Sequence, residues 1–404
     1  MSLPELSGFN ILANPTGPIC NLNCTYCYYL EKEKIYPDTS SFKMSDETLE
    51  VFTRKYIHEQ PGSEVTFVWQ GGEPSLLGLD YYKKALHFQQ KYGSGKRINN
   101  SFQTNGVLIN EEWCLFFKEH NFLIGISIDG PKELHDLYRQ DKGGHGTFTK
   151  VLHAIELLKK HEVDFNTLTV INNINCEYPL EVYRFLKQIG SQYMQFIPIV
   201  EQVAEGVLPE GVVLLSPDYA GKTTLAPWSV TPLKFGKFLV AIFNEWVKRD
   251  VGRYFVQIFD ATLANEAGAA PGICVFSERC GNALAIEHNG DLYACDHYVY
   301  PEYRLGNIHS TSLKKVLLSN AQQQFGLDKY DSLPRQCKNC DVYTYCKGEC
   351  PKNRFLVSNT NETGLNYLCE GYKLFFRHVK PYMKYMNNEL QHQRSPAQVM
   401  NWAK

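Results

Sequence analysis

Three cysteines fall within eight residues in the stretch CNLNCTYC, at positions 20, 24 and 27. Short turns at this CxxxCxxC spacing let neighbouring thiolates converge on one metal centre, but a tetrahedral zinc site and a complete iron–sulfur cluster each normally take four protein ligands. A compact trio therefore either borrows a distant fourth ligand or leaves one coordination position open. If Cys20, Cys24 and Cys27 hold three irons of a [4Fe–4S] cluster, the fourth iron is free for a ligand from outside. Eight more cysteines lie at 274, 280, 295, 337, 340, 346, 350 and 369, those from 337 to 350 spaced CxxCxxxxxCxxxC. Metal ligation is the default for cysteines so clustered, zinc in the CxxC-rich stretch among the possibilities. Cys114 and Cys176 stand apart and read as small buried hydrophobes.

The elements that must position these thiolates show in the apolar patterning. From about residue 9 to about residue 225, strand-like runs alternate with amphipathic stretches: FNILANP, then EVTFVWQ (64–70), INNSFQTNG (98–106), FLIGISIDG (122–130), VDFNTLTVIN (163–172) and YMQFIPIVE (193–201). Helices are expected over 45–60, 147–161, 179–190 and 232–250, the first opening on an imperfect capping box at Ser45. A repeated βα unit with apolar strands implies a parallel sheet covered by helices, closed or partly closed into a barrel. The chemistry of such folds collects at the C-terminal ends of the strands. The cysteine trio follows the first run and lands there. Residues 201–231 read as a connector or lid, and HNGD inside ALAIEHNGDLYACD (283–296) signals a hairpin turn. The cysteine-rich remainder is expected to be a compact region tied together by metal rather than by a large core.

Of the 404 residues, 44% are hydrophobic and 21% charged, enough for a large core and more than one domain. Forty-one basic against 43 acidic side chains give a net charge of -2, which offers no footprint for nucleic acid or an anionic membrane. MSLPELSGFN lacks a basic leader before an apolar stretch, and FLIGISI (122–128) is far too short to span a bilayer. The expectation is a soluble, cytoplasmic chain with no membrane contact, in which thiols stay reduced and metal ligation is favoured over disulfides.

CxxxCxYC after a first strand resembles the radical S-adenosylmethionine (radical SAM) superfamily, and WQGGEP (69–74) resembles its GGEP element at the end of the second strand. The resemblance implies a partial (β/α)6 barrel over 1–225, a helical connector over 226–269 and, from the cysteine pattern of 270–404, a SPASM domain with two auxiliary [4Fe–4S] clusters. That makes three [4Fe–4S] clusters in all. S-adenosyl-L-methionine is then expected to bind the open iron through its amino and carboxylate groups and to be cleaved to methionine and a 5′-deoxyadenosyl radical. By similarity Gly71 and Gly72 let backbone approach the methionine moiety and Glu73 accepts its ammonium hydrogens. Ser127 and Asp129 lie near the ribose, Arg139 partners the carboxylate, Tyr26 shields the cluster, and Gln70 and Asn105 face the same pocket. For Asn105 and Asp129, each before a glycine, a turn or cap role is the competing assignment. Cys274, Cys280, Cys295 and Cys350 are implied to bind one auxiliary cluster, and Cys337, Cys340, Cys346 and Cys369 the other.

Over nearly its whole length the chain is most similar to the anaerobic sulfatase-maturating enzymes. That resemblance implies oxidation of a cysteine or serine in an unfolded sulfatase segment, Cys/Ser-x-Pro-x-Arg, to Cα-formylglycine. Asp296, immediately after Cys295, matches the position of the base that takes the thiol or hydroxyl proton; a solvent-facing turn carboxylate is the plain alternative. A flavodoxin or ferredoxin is the implied electron donor and a monomer the default state. Two rivals are a SPASM peptide maturase that forms thioether or carbon–carbon crosslinks and a zinc protein on a barrel scaffold. The crosslinking enzymes carry a precursor-binding domain upstream, for which a trio beginning at Cys20 leaves no room. Peptide contacts are expected, by location alone, in 201–231 and 298–303.

Overall fold

A computed structural model describes residues 8–39, 41–93, 95–206 and 215–403. Six strands, β1 (Asn10–Asn14), β2 (Glu64–Trp69), β3 (Arg97–Thr104), β4 (Leu123–Ser127), β5 (Phe165–Ile171) and β6 (Tyr193–Pro198), lie side by side in chain order, all parallel. Helices α1 (Asp46–Glu59), α2 (Leu79–Tyr92), α3 (Glu111–Glu119), α4 (Lys132–His135), α5 (Phe148–Lys160) and α6 (Pro179–Gln188) connect them. The caps follow the sequence: Ser45 Oγ accepts from the Thr48 amide at 3.1 Å and Asn110 Oδ1 from that of Trp113 at 3.1 Å, each satisfying a backbone donor that the first turn leaves unpaired. Alternate residues of β2, Val65, Phe67 and Trp69, are buried, and Phe67 and Trp69 meet Phe52 of α1 edge-on. The period-2 pattern of the strand thus faces the 3.6-period stripe of the helix.

After β6 the chain makes a small hairpin, β7 (Gln202–Ala204) with β8 (Thr223–Leu225). Part of the connector expected over 201–231, namely 207–214, lies outside the described residues. Helix α7 (Pro232–Arg249), the two-residue strand β9 (Phe255–Val256), which pairs with β6, and helix α8 (Gln257–Glu266) follow.

Against the expectation of a cysteine-rich region held by metal instead of a core, β10 (Ala283–Glu287) pairs with β1 in parallel from Asn10↔Ala283 to Asn14↔Glu287. The hairpin strand β11 (Asp291–Tyr293) and then β12 (Arg304–Asn307) extend the sheet to ten strands. The physical reason is the free edge of β1: a parallel strand left open would expose a row of unpaired backbone groups, and β10 covers it. The long C-terminal helix Cys369–Gln391 packs on α7 and α8 through Phe375, which meets Phe243 and Phe259. One hydrophobic core therefore runs from the barrel into the cysteine-rich part. Among the described residues no helix is long and apolar enough to cross a membrane.

The crossing of α7 with the C-terminal helix depends on two glycines. A Cβ on Gly371 would overlap the Pro232 carbonyl oxygen, and one on Gly236 would sit 2.6 Å from the Gly371 oxygen. Gly371→Ala is expected to destabilise the protein by about 1–3 kcal/mol, because backbone cannot rotate away as a side chain can. The check is chemical denaturation, in which Ala at an exposed helical site such as Lys384 serves as the control.

Candidate active site

The cysteine trio lies in the loop after β1, at the C-terminal end of the barrel strands. Backbone bonds tie this loop to the segment after α4: the Asn23 amide donates to Gln140 O at 2.8 Å and that of Thr25 to Tyr138 O at 3.2 Å. Asn105, just past β3, donates Nδ2 to Asn21 Oδ1 at 2.8 Å and to Cys20 Sγ at 3.6 Å. Burial pushes the Cys20 and Cys24 thiols up to about 12 and raises Cys27 as well. Three bare thiolates are disfavoured in such a place, and a bound metal is what would hold them ionised.

The WQGGEP segment is locked against the residues that lead into Cys20. The Gly72 amide donates to Gly17 O at 2.8 Å and that of Glu73 to Ile19 O at 2.9 Å. Gly71 adopts φ +116°, a region favouring glycine. Glu73 is 1% exposed, and both its oxygens are engaged: Oε1 by Ser75 and by Thr104 Oγ1 at 2.7 Å, Oε2 by the Asn105 amide at 2.8 Å. The carboxylate binds the ends of β2 and β3 together; Oε1 takes three bonds and Oε2 one, so Oε2 keeps the acceptor capacity for a ligand. Burial raises its pKa, with those hydrogen bonds opposing.

SIDG also differs from a simple ligand-facing reading. Asp129 and Arg139 are paired with each other: Nε donates to Oδ2 at 2.9 Å and Nη2 to Oδ1 at 3.2 Å. Tyr26 OH donates to the same Oδ2, and the Val170 amide to Oδ1 at 3.0 Å. The Arg139 guanidinium lies 5.5 Å from the Tyr26 ring centroid. Asp129 thus acts as the buried base of a cradle, with Arg139 above it keeping guanidinium hydrogens for another acceptor. Ser127 Oγ accepts from Gln103 Nε2 at 3.2 Å, inside the barrel mouth.

Asp296, in the turn after β11, enters the same mouth from the side of the added hairpin. The residue is 8% exposed, so it is no solvent-facing turn residue. Oδ2 accepts from Tyr28 OH at 2.8 Å and from Gln70 Nε2 at 3.4 Å, and Oδ1 from Asn14 Nδ2 at 3.4 Å. Asn14 ends β1, Gln70 follows β2 and Tyr28 follows Cys27. The carboxylate therefore sits where the cysteine loop, two barrel strands and the Cys295 turn meet. Burial, and then the Asp296 charge, holds the Tyr28 hydroxyl well above its ordinary range.

The eight later cysteines fall into two groups. Burial raises Cys295 well above its usual value and Cys350 to about 12; Cys350 and Cys274 add to the first, Cys274 and Cys280 to the second. Cys337, Cys340, Cys346 and Cys369 line one cavity with Tyr343 and Tyr372. The members of each set of four implied by the resemblance thus lie near one another. Among the described residues no three His, Cys, Asp or Glu side chains converge on a point suited to a single metal ion; a cubane spreads its ligands over separate irons, so its sulfurs need not meet at one point.

Comparison with known families matches residues 14–186 to the radical SAM superfamily and 274–341 to the SPASM iron–sulfur cluster-binding domain. A serine-type anaerobic sulfatase-maturating enzyme of Bacteroides thetaiotaomicron is 50% identical over 390 residues, 96% of this chain and 94% of the relative. The chain belongs to the anaerobic sulfatase-maturating enzymes. A cysteine-type member from Clostridium novyi is 34% identical over 92% of this chain and 95% of its own. The solved structure of native anSMEcpe with bound AdoMet superposes with a TM-score of 0.81 at 33% identity, covering 94% of this chain and 99% of that one. SuiB of Streptococcus suis, bound to its precursor peptide SuiA, shares the fold alone, at 13% identity and a TM-score of 0.59.

Several side chains at this sulfatase-maturating site are silent in the sequence. Lys32, in the charged run LEKEKI, is 1% exposed, donates Nζ to Val299 O at 3.2 Å and lies 4.6 Å from the Tyr300 ring centroid. Burial lowers it to about 8, with Asp296 and Glu287 opposing. Nothing distinguishes it from its solvated neighbours in sequence. Glu287 does leave a signal, a lone charge at the end of an apolar strand; it accepts from Tyr29 OH and from Asn14 Nδ2 at 2.9 Å. Trp228 and Tyr26 form an apolar shelf that reaches Cys24, and Trp228 Nε1 is buried with no partner among the described residues. An apolar wall with an unmatched donor beside the cysteine trio suits a planar polar ligand. Arg354 donates to the carbonyls of Gly348, Lys329, Lys347 and Glu349. It holds a turn whose residues Lys347, Gly348 and Glu349 all have positive φ, between Cys346 of one set and Cys350 of the other.

Proposed function

We propose that the chain converts a serine in an unfolded sulfatase segment to Cα-formylglycine, with Asp296 as the base. The observation that carries this is the buried Asp296 carboxylate, held by Tyr28, Gln70 and Asn14 at the barrel mouth and adjacent in sequence to Cys295. S-adenosylmethionine at a cluster held by Cys20, Cys24 and Cys27 would supply hydrogen-atom abstraction from the target Cβ. Around it, Gly71 and Gly72 give backbone room, Glu73 offers Oε2, and Arg139, levelled by Asp129 and Tyr26, presents free guanidinium hydrogens. Asn105, Ser127 and Gln70 supply further polar contacts, and the Trp228 shelf supplies an apolar face. Asp296 then takes the hydroxyl proton, and an alkoxide beside an electron-deficient carbon gives up its second electron readily. Cys274, Cys280, Cys295 and Cys350 would hold the centre that accepts it, and Cys337, Cys340, Cys346 and Cys369 the second auxiliary centre.

Serine is favoured as the target by the nearer likeness to the serine-type relatives, 50% and 41% against 34% for a cysteine-type one. The enzyme is inferred to work as a monomer in the cytoplasm, reduced by a flavodoxin or ferredoxin. Anaerobically reconstituted protein, reductant, S-adenosylmethionine and paired Ser-x-Pro-x-Arg and Cys-x-Pro-x-Arg peptides provide the test. The expected product is the serine peptide short of two hydrogens, with 5′-deoxyadenosine formed in step. Oxidation of the cysteine peptide alone would refute the serine assignment. A crosslinked peptide without aldehyde would refute the whole reading.

A further inference from the structure

Helical spacing places a row of cations that starts at the second set of four cysteines and leads away from it. Lys373, Arg377, Lys380 and Lys384 follow Cys369 along one face of the helix Cys369–Gln391, at intervals of four, four, three and four. Lys373 lines the cavity of Cys337, Cys340, Cys346 and Cys369. Arg377 forms a forked pair with Asp341, both bonds 2.9 Å, next to Cys340, and Lys380 donates to the Asp341 carbonyl at 3.2 Å. Lys338 is exposed on the neighbouring turn, and Cys340 is itself partly exposed. Three carboxylates, Asp341, the exposed Glu370 and the exposed Asp331, whose carbonyl accepts from Lys338 at 3.2 Å, oppose these five cations. Leu374, 38% exposed, supplies an apolar spot among them. A chain with a net charge of -2 thus gathers positive charge along the helix that begins at this cysteine set.

We propose that this face is the docking surface for an acidic one-electron carrier protein, to which the electron taken from the substrate passes. The proposal rests on the reading that Cys337, Cys340, Cys346 and Cys369 hold an auxiliary cluster. The balance is simple: removal of a Cβ hydrogen atom and a hydroxyl proton leaves one electron per turnover, the oxidised carrier accepts it, and no bond is made in that step. An oxidised flavodoxin or ferredoxin, each carrying excess negative charge, fits both the charge and the chemistry. Cations around such a surface act mainly by speeding encounter, so they govern the association rate and its dependence on salt. Arg377 is already matched by Asp341, which leaves Lys338, Lys373, Lys380 and Lys384 to face a partner.

The test uses the reconstituted holoenzyme, reduced with dithionite, mixed with oxidised bacterial flavodoxin and followed by stopped-flow absorbance over a range of salt. The double variant Lys380→Glu/Lys384→Glu leaves the cysteines and Lys373 untouched. Its second-order rate at low salt is expected to fall by about tenfold or more, with a flatter salt dependence, while iron content, electron paramagnetic resonance spectra and peptide oxidation driven by chemical reductant stay as in the parent. Charge reversal on the barrel helices, Lys83→Glu/Lys118→Glu, is expected to leave the rate unchanged. An unaltered rate and salt slope in the Lys380/Lys384 variant would overturn the proposal. Parent protein lacking one auxiliary cluster by iron count and spectrum would overturn it at its foundation, and the two failures are told apart by that count.

Discussion

Asp296→Asn is expected to lower peptide oxidation by about 10²–10⁴-fold, with iron content intact and S-adenosylmethionine still cleaved. The substitution is nearly isosteric. With its amide oxygen placed where Oδ2 stood, the side chain can go on accepting from Tyr28 and Gln70 at the loss of the bond from Asn14, but an amide does not take a proton at neutral pH. Hydrogen abstraction should therefore continue without the deprotonation that completes oxidation, so 5′-deoxyadenosine accumulates in excess of product. Three neighbours are the rival bases. Tyr28 is held in its protonated form by burial and by Asp296, and Glu287 is already engaged by Tyr29 and Asn14. His297, whose ring lies 5.6 Å from that of Tyr28, is the third, and His297→Gln is expected to keep most of the parent rate. Full activity in Asp296→Asn, or its loss in His297→Gln with iron retained, would move the proton to another group.

The six barrel strands and the large helices were legible because each obeys a local rule: apolar runs for strands, stripes at three and four for helices, Ser or Asn at the caps. The trio at 20, 24 and 27 was legible because spacing in sequence survives as proximity in a short turn, whereas the division of the eight later cysteines came only from the family resemblance. What the sequence withheld depends on long-range pairing. That β10 lies against β1, some 270 residues away, is decided by which edge needs covering, and no local pattern carries that. The pairing of Asp129 with Arg139 is likewise absent from any local pattern, because nothing in the sequence marks two opposite charges on separate turns as partners. Lys32 shows the limit of reading charge as exposure. A lysine in a charged run is usually solvated, and only the three tyrosine rings around this one, from Tyr28, Tyr29 and Tyr300, reveal that it is enclosed.

Gly72→Ala is expected to abolish the first cluster while sparing the other two. A Cβ at this position would overlap the Ile19 carbonyl oxygen and stand 2.8 Å from the Pro18 carbonyl carbon. These are backbone atoms, so no rotamer change relieves the clash, and the added volume costs at least the 1–3 kcal/mol typical of about one overpacked methyl group. The strain falls on two bonds, Gly72 N to Gly17 O and Glu73 N to Ile19 O, that fix the segment running directly into Cys20. Three thiolates bind one cubane only if that segment delivers Cys20 to the same point as Cys24 and Cys27, so a shift of the backbone there removes a ligand as surely as mutating the cysteine. Cys274 to Cys369 lie on other elements and should still hold metal. The expected iron count thus drops by about four from about twelve, S-adenosylmethionine cleavage ceases, and the auxiliary spectra persist. Retention of all the iron together with cleavage at the parent rate would show that the loop can yield at residues 17–19, and that the glycine serves the ligand's approach instead of the chain's own packing.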